Sequence, residues 1–63
     1  MNTYGDRELI NVGRILSTSA TARERNTRLR GLRVRIEADI LLRGAPFSEG
    51  SDVIETIDKL IRG

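Results

Sequence analysis

Arginine and carboxylate supply nearly all the chemistry this chain has to offer. Its 63 residues include ten arginines, one lysine and nine acids, but no histidine and no cysteine. General acid–base catalysis ordinarily recruits histidine, and thiol nucleophiles and ordinary zinc sites need cysteine or histidine. A serine or threonine nucleophile would have to borrow a base from Lys59 or a terminal amine. Lys59 falls where a cation closes a helix, which is explained by the macrodipole alone. Carboxylate-only metal sites are limited to Glu37 with Asp39, which diverge on a helix and share a face on a strand, and to Glu49, Asp52 and Glu55. The latter three fall near an expected helix start, where acids serve as caps. Neither Gly44 nor Gly50 is followed by the Gly-Lys-Ser/Thr of a phosphate-cradling loop. These residues point to a protein with no catalytic site, no cofactor and no metal.

The one group that asks for a partner is Arg23, Arg25, Arg28, Arg30, Arg33 and Arg35. Residues 23–35 set these six arginines against Glu24 alone, whereas residues 36–63 hold Arg43, Lys59 and Arg62 against six acids. Such a stretch has three uses: a solvated face laced with salt bridges, a dock for an acidic protein surface such as the acidic C-terminal helix of a neighbouring copy, or a grip on nucleic-acid phosphates. Tyr4 and Phe47 are the only aromatics, which excludes a stacking platform for single strands. Arginine's planar fork suits carboxylate and phosphate alike.

Hydrophobic spacing gives the elements that carry these side chains. Thr3 or Asp6 is suited to cap a first helix over residues 5–18, with Leu9, Val12 and Leu16 as its apolar stripe and Ile10 and Ile15 flanking it. Gly13 weakens that helix or admits a close neighbour. Ser17 to Ala20 reads as a short connection. Thr21 followed by Glu24 has the form of a capping box, opening a second helix over residues 21–43. Leu29, Leu32, Ile36 and Ile40 form one stripe of it, with Val34, Ala38 and Leu41 on the opposite side. Glu24/Arg28, Arg33/Glu37, Arg35/Asp39 and Asp39/Arg43 lie four apart, where opposite charges meet on a helix. Residues 32–40 also alternate strictly, which admits a central strand pairing between chains with Gly31 as the break before it. That version resembles the dimeric β-ribbon DNA readers, although those place a strand before two helices and Ile40 to Arg43 is too short for the first of them. Gly44-Ala45-Pro46 ends the element. Residues 47–50 read as a loop with Phe47 folded back on the core, and Asp52 with Glu55 opens a third helix over residues 51–62 on Val53, Ile57 and Leu60.

The expected fold is therefore all-α: a single domain over residues 1–63 built as a helical hairpin with a short C-terminal helix. The alternative is α+β with a strand at 32–40. A chain this short buries only about 60% of its unfolded surface, and the second helix is apolar on two sides. An oligomer or a larger protein assembly is expected to cover the second side. Val34, Ala38 and Leu41 would supply the apolar contacts, and the arginines would select the partner's charge. The expected function is that of a structural or interaction subunit, an adaptor or inhibitor acting by surface binding, of a size found among viral and mobile-element accessory proteins. The alternative function is a dimeric DNA-binding regulator using the segment 23–35. No apolar run reaches the roughly 18 residues of a membrane span, no signal-peptide pattern is seen, and the absence of cysteine suits a reducing compartment. The expected location is the cytoplasm or a particle assembled there.

Overall fold

A computed structural model describes residues 2–63 and contains three helices: α1 Tyr4–Thr18, α2 Ala22–Leu42 and α3 Phe47–Arg62. Each helix packs on the other two. Residues 32–40, where the alternation also suited a strand, lie inside the unbroken α2, and Gly31 causes no break. The four charge pairs explain this preference locally. Glu24–Arg28 (3.7 Å), Arg33–Glu37 (3.0 Å), Arg35–Asp39 (2.8 Å) and Arg43–Asp39 (3.0 Å) all form along the helix.

The caps of the first two helices follow from sequence. Thr3 and Asp6 act together: the Asp6 amide donates to Thr3 Oγ1 (3.1 Å), and Asp6 Oδ2 accepts from the Thr3 amide (3.3 Å). Thr21 Oγ1 accepts from the Glu24 amide (3.0 Å), satisfying a donor that the helix itself cannot. At the far end of α2 the Asp39 carbonyl accepts from both Arg43 and Ala45. Gly44 takes φ +72° to turn the chain there, a conformation that costs glycine nothing.

The third helix departs from expectation. It begins at Phe47, not at residue 51, and the pair Asp52 and Glu55 caps nothing because both lie within it. Pro46 occupies the cap position without a side-chain bond, and Gly50 donates its amide to the Pro46 carbonyl (3.0 Å). A contact distant in sequence supports this early start. Glu49 Oε1 accepts from the Gly5 amide of α1 (2.9 Å), so one carboxylate serves the N-termini of both helices. Gly50 is required by packing, since a Cβ there would stand 2.6 Å from Ile40 Cδ1 and 3.0 Å from its Cγ1. Phe47 is not folded back on the core but is 72% exposed, because the early start of α3 turns its first residue outward.

The core consists of Val12, Ile15, Leu29, Ile36, Val53 and Ile57, with Tyr4, Leu32, Ile40, Ile54, Leu60 and Ile61 packed around it. On α1 the buried line runs through Gly5, Glu8, Val12 and Ile15. Leu9, Ile10 and Leu16, expected to belong to the stripe or its flanks, are largely exposed. The reason is electrostatic. Rotating α1 toward Glu8 brings that carboxylate onto Arg35 of α2 and Tyr4 onto Asp39.

Candidate interaction surface on the second helix

α2 has two neighbours and four sides. Leu29 and Ile36 point inward and are fully buried. On the α1 side Arg35 bridges two carboxylates: it pairs with Glu8 and donates to Asp39 Oδ2 (2.8 Å). Tyr4 donates its hydroxyl to the same Asp39 oxygen (2.8 Å), Arg43 reaches Asp39 Oδ1 (3.0 Å), and Asn11 donates to Glu8 (3.2 Å). Both acids are buried, and among the described residues no buried side-chain polar atom lacks a partner. On the α3 side Arg33 donates to Asp58 (2.9 Å) while also holding Glu37 (3.0 Å).

This network sets the charge states of its members. The hydrogen bond from Tyr4 and the nearby Arg35 and Arg43 hold the Asp39 carboxyl below its ordinary range, against the opposing effect of its burial. Burial, the bond to Asp39 and the negative charges of Asp39 and Glu8 push the Tyr4 phenol up to about 12. Asp58 raises the Arg33 guanidinium, first by its hydrogen bond and then by its charge.

The fourth side of α2 faces away from the rest of the bundle. Val34 is 64% exposed and Leu41 and Leu42 are 80% exposed, while Ala38 is half-buried. Val34, Ala38 and Leu41 follow helical spacing on this outward face, as their positions require. Gly31 lies one turn before Val34 and two before Ala38, and a Cβ built on it meets nothing within 4 Å. Beside Val34 a groove of about 340 Å³ is bounded by Arg30, Arg33, Asp58 and Ile61. It is shallow and open, a furrow between α2 and α3.

The six arginines separate into two sets. Arg33 and Arg35 are tied to acids of neighbouring helices, and Arg28 is held by Thr18 Oγ1 (2.9 Å), Ser19 Oγ (3.1 Å) and more distantly Glu24. Arg23, Arg25 and Arg30 make no ion pair among the described residues; Arg25 donates only to Asn26 (3.1 Å). The structure therefore sets Val34, Ala38 and Leu41 on one outward face and leaves three of the six arginines without an ion pair among the described residues. Two features escaped the sequence reading. The exposure of Leu42 and Phe47 follows from where α2 ends and α3 begins. The buried network was foreshadowed by Glu8, which lies four residues from both Tyr4 and Val12 and so shares their face of the helix.

Among the described residues no helix is long and apolar enough to cross a membrane. Comparison with protein-family models, with curated proteins and with solved structures finds no significant match.

Proposed function

We propose that this chain is a non-catalytic assembly or interaction subunit, a small adaptor or inhibitor that works by occupying a surface, and that the outward face of α2 is what it presents. The observation that carries this reading is the exposure of Val34, Leu41 and Leu42 on a helix whose opposite face already fills the core. Contiguous apolar patches on small soluble domains commonly mark binding surfaces. The absence of histidine and cysteine supports a role without catalysis.

The test is retention of protein partners, including further copies of the chain itself, by the wild type and by Val34→Glu/Leu41→Glu. Both positions are exposed, so circular dichroism of the double variant should match the wild type. The expected result is that the wild type retains a partner and the double variant loses it. Retention undiminished in the double variant would place the surface elsewhere.

A nucleic-acid reading has one observation in its favour. Arg23 and Arg30 lie seven residues apart on one side of α2 and have no ion pair among the described residues. Arg33 and Arg35, which that reading also needs, are spent on Asp58, Glu37, Glu8 and Asp39. Duplex DNA binding at low salt that falls steeply as salt rises would support it, because counterion release sets that slope. No retention at about 50 mM salt, where phosphate contacts are strong, would exclude it.

A further inference from the structure

We propose that the occupant of the α2 face is a second copy of this chain, laid antiparallel so that the two-fold axis passes between Val34 and Ala38. The inference rests on reading that face as an interaction surface and adds what covers it.

Charge gives the direction. The first part of α2, residues 22–33, holds five arginines against Glu24. The remainder, residues 34–42, holds Arg35 against Glu37 and Asp39 and has no basic residue in its last turn; the capping Arg43 is turned back onto the buried Asp39. That end carries the negative pole of the helix and its free carbonyls. An antiparallel neighbour brings Arg30, which has no ion pair among the described residues, beside the last turn of the other copy's α2. A parallel neighbour would set five arginines against five.

Size gives the register. Along the outward face the residues run Gly31, Val34, Ala38, Leu41: small, large, small, large. Reversal about the level of residue 36 places Leu41 of one copy over Gly31 of the other and Val34 over Ala38. The space above Gly31 is open, and Leu41 is among the most exposed apolar side chains. Each protrusion thus meets a recess, the condition for close packing between helices. The self-complementary pattern is what a two-fold contact demands, since each copy must present both halves of it. Arg33 and Arg35 do not obstruct the approach, because their guanidinium groups are held by α3 and α1.

The chain has no cysteine, so introduced thiols report only on this contact. Gly31→Cys and Leu41→Cys chains, mixed in equal amounts and oxidised, should give a disulfide-linked heterodimer by mass. Neither variant alone should link, because like positions would stand about 15 Å apart along the helix, beyond the roughly 7 Å that a disulfide allows. If the larger change at Leu41 weakens association, the pair Val34→Cys and Ala38→Cys gives a second reading of the same register. Rapid linking of Gly31→Cys to itself would overturn the antiparallel arrangement. Sedimentation of the unmodified protein should show a two-chain mass at high micromolar concentration, and a strictly single-chain mass would overturn the proposal. If such a monomer still retained a different protein through Val34 and Leu41, the interaction reading would stand and only the second copy would be lost. A monomer that retained nothing would end both.

Discussion

Asp39 shows how a residue placed by helical charge pairing becomes something more once the helices pack. Its spacing from Arg35 and Arg43 accounts for two of its partners, but its burial and its bond from Tyr4 come from α1. The directions of the two shifts fix how stability depends on pH. Asp39 has a lowered folded pKa, so its contribution is present above the ordinary carboxylate range and is lost as pH falls through the folded value. Tyr4 has a raised one, so the unfolded phenol ionises first, and stability is full below about 10 and falls as pH rises from there to about 12. Urea denaturation across pH should show a plateau with a decline on each side. Tyr4→Phe should lessen the alkaline decline and also make the acid decline smaller, because the hydrogen bond from the phenol is the foremost cause of the Asp39 shift. An alkaline limb identical in the two proteins would show that the Tyr4 phenol is not raised in the folded protein.

At the scale of the element, the glycines separate propensity from packing. Gly13 and Gly50 both lie within helices, yet one has nothing near its missing Cβ and the other has Ile40 and Ile36 against it. Gly13→Ala should stabilise the fold by roughly 0.5–1 kcal/mol, the ordinary gain of alanine in a helix interior. Gly50→Val should destabilise it by about 1–3 kcal/mol, because Ile40 must leave its place to admit the new atoms. Thermal melts of the two variants with opposite signs would support this account of α3. Equal signs would mean that the α2–α3 contact is looser than described. The start of α3 at Phe47 belongs here too: Glu49 bonded to Gly5 supports a first turn that the local sequence, with Ser48 and Gly50, does not favour.

For the whole molecule, the proposal assigns association to one face of α2 and leaves stability to the other. Ile36 is fully buried among all three helices, and Val34, two residues away, is open to solvent. Ile36→Ala should cost about 2–5 kcal/mol and in a domain this small should leave much of the population unfolded at moderate temperature. Val34→Ala should change the stability of the isolated chain by no more than about 0.5 kcal/mol while weakening retention of a partner. Denaturation at low and high protein concentration separates the two effects. Loss of stability from Val34→Ala in dilute solution would mean that this side chain is covered by its own chain.

The residues alone determined where α1 ends and α2 begins, and that the second element, read as a helix, carries apolar side chains on two sides; they left residues 32–40 open between helix and strand. Those properties depend on neighbours three and four positions apart and on caps within one turn, interactions that local spacing specifies. Which side of α1 faces inward was decided only when the helices met. Leu9, Val12 and Leu16 offered one stripe, but pairing Glu8 with Arg35 and Tyr4 with Asp39 selected another. The early start of α3, the outward turn of Phe47 and the division of the arginines between internal and free were settled in the same way. Each depends on a contact between residues more than twenty positions apart or on the angle at which one helix leaves another, and no local pattern encodes either.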